Sequence, residues 1–310
     1  MHATRGLVIL VLANFARRNN DAMCADAASS PPLAPALARE ERQRVAGVDV
    51  TLSWPSPSAD DAAPPAGVTF LLPGANVKIS EYDGLRDVIL GRRHLVVSLY
   101  VNVLWPLFNN HRKHAGDVKK VFDALLALHP DLPNRYSVVG HSLGGKIALL
   151  LVSVVDPRRV SAVLALDPVD LNPTEFSNER GSNLPLDDGA CKDTAGAMGP
   201  LGMFSGDGPD DVVHVVNRGG DYAGGGCERR TPIVLTCTDG GRGIPAKHNA
   251  EAIHALHPMT RYHRHAHAGH FAYCDHGGGF ARLLVPDVGT EDGNAKARDA
   301  AHDLIREILA

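Results

Sequence analysis

No surplus of basic residues marks this chain: 31 Lys and Arg stand against 35 Asp and Glu, a formal charge of −4. A nucleic-acid binder normally shows a basic stripe, so that class is set aside. The N-terminal apolar stretch "GLVILVLANFA" is only roughly ten residues long, about half of what a bilayer-spanning helix needs. Cysteine is scarce, and the spacings among Cys191, Cys227, Cys237 and Cys274 (36, 10 and 37) match no zinc-ribbon pattern. Internal repeats are missing as well. With 44% apolar and 21% charged residues, collagenous, coiled-coil and wholly disordered readings also fall away.

What remains is a globular chain of 310 residues, long enough to bury a substantial core. Its apolar N-terminal stretch follows Arg5 and precedes "RRNND" and the small-residue run "AMCADAASS". Residues 1–24 therefore read as a targeting or signal segment, bound for an organelle or the secretory route. Residues 25–46, rich in Ala and Pro at their start, read as a disordered linker. A secretory leader would permit one or two disulfides among the four later cysteines; buried free thiols are the other reading.

From about residue 47 the pattern alternates. "VDVTLSW" (48–54) has period-2 character, and "VTFLL" (68–72) is a continuous apolar run closed by Pro73-Gly74, as in a strand buried on both faces. "ISEYDGLRDVIL" has helical spacing, "HLVVSLYV" (94–101) is a second buried strand, and "AGDVKKVFDALLAL" (115–128) is an amphipathic helix. "YSVVG", "VSAVLAL" (160–166) and "PIVLTCT" (232–238) are further strands, "GGKIALLLVSVV" is a helix, and another helix covers 294–309. Such alternation predicts an α/β domain over 47–310, with a mostly parallel central sheet flanked by helices. Between 171 and 230 the pattern breaks into turn-rich sequence, too long for an ordinary loop. It reads as a lid-like insertion over the strand C-termini, with a disordered decoration as the plainer alternative.

The chemistry centres on Gly140-His141-Ser142-Leu143-Gly144, which falls where a strand gives way to a helix. A sharp strand-to-helix turn needs small residues around a strained serine, and it leaves that serine at a helix N-terminus that favours an oxyanion. A serine nucleophile needs a base, and the base needs an orienting carboxylate. Asp167 ends "VSAVLAL", with Pro168 fixing the chain beyond it; Asp239 ends "PIVLTCT" in a looser turn, and Asp170 is a third candidate. Sixteen histidines are many for one chain, and His263, His265, His267, His270 and His276 cluster together. His270, after Gly269 on a loop past the last core strand, is the favoured base, with His267 as runner-up. The alternation of His263, His265 and His267 looks like one strand face, a spacing that can also bind metal, though no thiolate or carboxylate nearby completes a set. His141 reads as a packing residue. Oxyanion donors are expected from the Leu143 N–H and from Ala75 or Asn76 in the loop after "VTFLL".

Taken in order, "FLLPGA", "VVGHSLGGK", "ALDPVD", "PIVLTCTDGG" and "YHRHAHAGHFAYCD" resemble the chlorophyllase family of α/β-hydrolases. "GHSLGGK" with "DPV" is the most telling pair, and the similarity spans roughly residues 68 to 276. The resemblance implies Ser142 as nucleophile, Asp167 as acid and His270 as base, with no cofactor and no metal of the protein's own. It also implies a hydrophobic ester substrate, the phytyl ester of chlorophyll, and with it a plastid destination and work at a membrane surface. Three features depart from the family. Leu143 stands where plant members usually have Arg, Pro73-Gly74-Ala75 stands where they have His-Gly-aromatic, and the 171–230 insertion is long. Leu143 is also common in lipases, so a general carboxylesterase or lipase stays open, as does a non-catalytic pigment or lipid binder.

Overall fold

Ala46 and Gly47, both at positive φ, turn strand β1 (Leu37–Val45) back into β2 (Val48–Pro55). Two successive residues with φ above zero are what a tight hairpin turn requires, because its twist then matches that of the strands. The sequence reading placed residues 25–46 in a linker; over Leu37–Val45 that is corrected. The strand escaped notice because "LAREERQRV" carries charge on both faces, and among its described side chains, 39–45, only Val45 joins the core. An edge strand gains from such charge, which discourages pairing with other chains.

The structure is a computed structural model that describes residues 37–56, 64–99, 111–169, 231–239, 249–256, 260–279, 281–284 and 289–310. The proposed leader (1–24) and the proposed lid (171–230) lie outside the described residues. Beyond the hairpin come β3 (Gly67–Leu72), a 3-10 turn Ile79–Tyr82, α1 (Asp83–Gly91) and β4 (His94–Leu99). Then follow α2 (His111–Leu128), β5 (Tyr136–His141), α3 (Leu143–Leu150) ending in a π turn Leu151–Val155, and β6 (Val160–Leu166). β7 (Ile233–Thr238), α4 (Ala250–Leu256), β8 (Arg261–His265), a 3-10 turn His270–Tyr273, α5 (Ala281–Leu284) and α6 (Glu291–Ile308) complete it.

Among the described residues the strands form one eight-stranded sheet, in the order β1-β2-β4-β3-β5-β6-β7-β8. β1 and β2 run antiparallel, and the six strands from β4 to β8 run parallel. Apolar side chains alternate between its two faces. Val68, Phe70 and Leu72 of β3 pack with Val118, Val121 and Phe122 of α2 and Ile147 of α3. Leu71 faces the other way, into a cluster with Leu85 and Ile89 of α1 and Ala301 and Ile305 of α6. Burying one such leucine contributes roughly 1.5–3 kcal/mol, so each β3 position helps fix the register. No helix among the described residues is long and apolar enough to cross a membrane.

The order has one consequence for chemistry. β3 pairs with β4 on one side and with β5 on the other, so the chain leaves β3 in one direction and returns in the opposite one. A crevice opens at the C-terminal ends of parallel strands where the winding reverses, and ligands of open α/β sheets gather there. The C-terminal ends of β3, β5, β6, β7 and β8 all lie on this edge.

Candidate active site

Ser142 stands between β5 and α3 with φ 55° and ψ −118°, a backbone conformation disfavoured for a residue with a side chain. The surrounding chain holds it there. Its N–H donates to the Leu166 carbonyl (2.9 Å), and its own carbonyl accepts the N–H groups of Lys146 and Val169 (both 3.2 Å). The bond from Val169 ties the serine turn to the turn after β6. Side chains at the two pentad glycines would collide with main chain: a Cβ on Gly140 would lie 2.2 Å from the Gly144 oxygen, and one on Gly144 would lie 2.1 Å from the Leu72 oxygen. Ser142 occupies the N-cap of α3 without capping it through its side chain, so the helix does not engage the hydroxyl.

Asp167 follows β6 at φ 44° and is fully buried. Its carboxylate accepts from the Thr238 N–H (3.2 Å), from the Thr238 hydroxyl (2.8 Å) and from Nδ1 of His270 (2.6 Å). His270 opens the 3-10 turn His270–Tyr273 and is itself buried. Because the carboxylate accepts, a proton sits on Nδ1; in the neutral ring this tautomer leaves the lone pair on Nε2, the form in which an imidazole can take a proton.

The other candidates sit elsewhere. Asp239 Oδ1 accepts the His267 N–H at 2.6 Å, so this acid shapes the loop leading to His270. Asp170 lies outside the described residues. His263 and His265 lie in β8, but His267 is past the strand end at φ 60°, so the three do not share one strand face. Among the described residues no group of three His, Cys, Asp or Glu side chains is arranged to hold a metal. His276 is exposed and gives its backbone N–H to Glu81. Cys237 and Cys274 are buried free thiols; burial pushes Cys237 up to about 11 and Cys274 up to about 12, which keeps both protonated.

The loop after β3 packs directly on the serine: a Cβ at Gly74 would lie 3.2 Å from Ser142 Cβ. The Gly74 N–H donates to Tyr82 Oη (3.0 Å) and the Gly74 carbonyl accepts the Val77 N–H (3.2 Å). Tyr82 Oη lies 2.7 Å from Nδ1 of His141, whose Nε2 lies 2.9 Å from the His270 carbonyl oxygen. Burial, and then the neighbouring His270, hold His141 well below the usual histidine range, so it is neutral. Burial likewise raises Tyr82 well above the usual tyrosine range.

No family model matches the chain, and no curated protein does. Solved structures do match. Thermogutta terrifontis esterase 2 phosphoramylated by tabun aligns at 16% identity and a TM-score of 0.52, over 91% of this chain and 98% of that one. The butyrate-bound form of Thermogutta terrifontis Est2 gives 16% and 0.52, over 89% and 94%. MGS-M1, an α/β hydrolase from a Medee basin deep-sea metagenome library, gives 12% and 0.52, over 88% and 99%. The chain has the α/β-hydrolase fold.

On this α/β-hydrolase frame the structure brings Ser142, Asp167 and His270 to one edge of the sheet, with Leu143 and Ala75 beside the serine. Leu143 begins α3 and its side chain is buried in the apolar cluster with Leu72 and Ile147; Ala75 is half-buried in the loop that abuts Ser142. Sequence reasoning missed three members of the site. Thr238 ends a strand beside Asp167 and gave no signal of its own. Tyr82 was not singled out within the helical run "ISEYDGLRDVIL". His141 was read as packing, yet both its ring nitrogens are bonded. The signal was available: an imidazole inside a buried run has two polar atoms that need partners.

Proposed function

We propose that the chain is a serine carboxylic-ester hydrolase. One observation carries this reading: His270 Nδ1 lies 2.6 Å from Asp167 Oδ2 on the sheet edge where the strained Ser142 sits at a helix N-terminus. Ser142 Oγ attacks the ester carbonyl while His270 Nε2 takes its proton. The Asp167 carboxylate holds the imidazole in the tautomer this requires and stabilises the imidazolium that forms. The oxyanion is met by the N–H groups of Leu143 and Ala75 and by the dipole of α3; one such donor contributes about 3 kcal/mol. The imidazolium then protonates the leaving alcohol. Water, deprotonated by the same histidine, releases the acid from the acyl-enzyme and regenerates Ser142.

For the substrate, the proposal is the phytyl ester of chlorophyll, cleaved to chlorophyllide and phytol. Its support is the motif set "GHSLGGK", "ALDPVD" and "AGHF", matching the chlorophyllase pattern in order. The magnesium of chlorophyll belongs to the substrate, and the isoprenoid tail places the reaction at a membrane or pigment–protein surface, in keeping with a plastid-directed leader. A second reading, a general carboxylesterase, has its own support: Leu143 is apolar and buried where plant chlorophyllases usually carry Arg, and esterases share the fold. Offering chlorophyll and a short p-nitrophenyl ester in parallel separates the two. The proposal expects phytol release; cleavage of the short ester alone would assign the enzyme to general esters.

A further inference from the structure

Two loops that sequence places far apart are joined across the site by one directional chain of hydrogen bonds. Its ends are fixed by chemistry, since the Gly74 N–H can only donate and the His270 carbonyl can only accept. His141 must therefore carry its proton on Nε2, facing the His270 oxygen at 2.9 Å. Its bare Nδ1 then accepts from Tyr82 Oη–H at 2.7 Å, and Tyr82 Oη accepts from Gly74 N–H at 3.0 Å. Gly74, Tyr82, His141 and His270 are all buried, so no exposed group competes for these bonds, and the Cys274 thiol is a further buried neighbour of the Tyr82 hydroxyl.

We propose that Tyr82 and His141 are positioning residues for ester hydrolysis, holding the oxyanion loop and the His270 base in register with each other. The proposal rests on the hydrolase reading above. At the first end, two bonds fix the peptide planes on either side of Gly74. The Gly74 N–H is held by Tyr82, and the Gly74 carbonyl is held by Val77 N–H. In a trans peptide the carbonyl and the next N–H point in opposite directions, so fixing the Gly74 carbonyl also aims the Ala75 N–H. At the other end, His270 is gripped twice, by its carbonyl on His141 and by its ring on Asp167. Rotation of the imidazole away from the substrate would have to break one grip or the other.

A separate clasp joins the same two segments and makes the idea testable. The Glu81 carboxylate accepts the N–H groups of His276 and Gly278, the Asp275 carboxylate accepts the Gly84 N–H, and the Asp275 N–H donates to the Glu81 carbonyl. Removing the Tyr82 hydroxyl therefore leaves the loops fastened while the bridge is lost. Tyr82→Phe and His141→Phe, singly and together, are assayed on a short ester, with active sites counted by fluorophosphonate titration. Each single variant is expected to lose roughly ten- to hundredfold in kcat per titrated site, with KM within about twofold of the parent. Because both residues serve one bridge, the double variant should lose no more than the worse single. Glu81→Gln is expected to lower Tm and leave kcat per site unchanged. The proposal is overturned if Tyr82→Phe keeps kcat per site within about twofold and loses only titratable fraction, or if the two losses multiply. A parent protein that neither titrates nor turns over would overturn the hydrolase reading, and this proposal with it.

Discussion

Asp167 and Thr238 are held together by two bonds, from the backbone N–H and from the hydroxyl of the threonine, both ending on the aspartate carboxylate. Asp167 is fully buried, and an isolated carboxylate in such a place would be costly. Thr238 supplies a donor to each oxygen, which makes a buried acid tolerable, and its hydroxyl shares Oδ2 with the His270 ring. Thr238→Val keeps the shape and removes the hydroxyl donor. We expect kcat/KM on a short ester to fall about tenfold with the fold intact by circular dichroism. Unchanged kinetics would show that the backbone N–H alone suffices.

The two acids divide cleanly. Asp167→Asn should lower kcat by about four orders of magnitude, because an amide facing Nδ1 no longer selects the productive tautomer. Asp239 holds the His267 N–H and pairs at 4.0 Å with Arg264, and neither contact touches the His270 ring, so Asp239→Asn should cost a few-fold at most and reduce Tm slightly. Steady-state kinetics on the two purified variants decides it; a crippled Asp239→Asn with an active Asp167→Asn would reverse the assignment.

That pair shows how far the sequence could be read. Asp167 and Asp239 both end parallel strands, and strand ends are legible from apolar runs. What favoured Asp167 was Pro168, a local backbone argument. What distinguishes the two acids in space is the placement of β8 beside β7, which brings the His267 N–H onto Asp239. β1 was illegible because an edge strand needs no apolar face, and of the described side chains of 39–45 it is Val45 that reaches the core. The Tyr82–His141 bridge was hidden for another reason. It joins residues 59 apart and then reaches one 129 further on, and no periodicity encodes such a contact. The elbow was the opposite case: each of its requirements, strand, glycine, serine and helix, is local.

Stability should depend on pH through neutral histidines that are buried or half-buried. Burial lowers His94 to about 4 and holds His111 and His141 well below the usual histidine range, while in the unfolded chain each titrates near ~6.5. As pH falls below ~6.5 the unfolded state therefore binds protons that the native state does not, and stability drops. The slope is at most about 1.4 kcal/mol per pH unit per histidine. Urea unfolding at about pH 7, 6 and 5 should show a steadily falling midpoint, and His94→Asn should make the fall shallower while His111 and His141 keep the rest of it. A midpoint that does not change over that range would contradict the neutral assignments.

Glycines separate into those the fold requires and those it merely tolerates. A Cβ on Gly116, inside α2, meets nothing within 4 Å, so Gly116→Ala should stabilise by about 0.5–1 kcal/mol. Gly144→Ala would push a methyl group against the Leu72 carbonyl and should destabilise by about 3 kcal/mol or more. Thermal unfolding of both variants tests the contrast, and a stable Gly144→Ala would mean that β3 and α3 do not meet as closely as described.

The central claim is that Ser142 is a nucleophile activated by His270. Single-turnover labelling of the folded protein with a fluorophosphonate, followed by peptide mapping, tests it most directly. The account predicts stoichiometric modification of Ser142, lost in Ser142→Ala and slowed by orders of magnitude in His270→Ala. Folded protein that takes up no label, or takes it up at another residue, would contradict it.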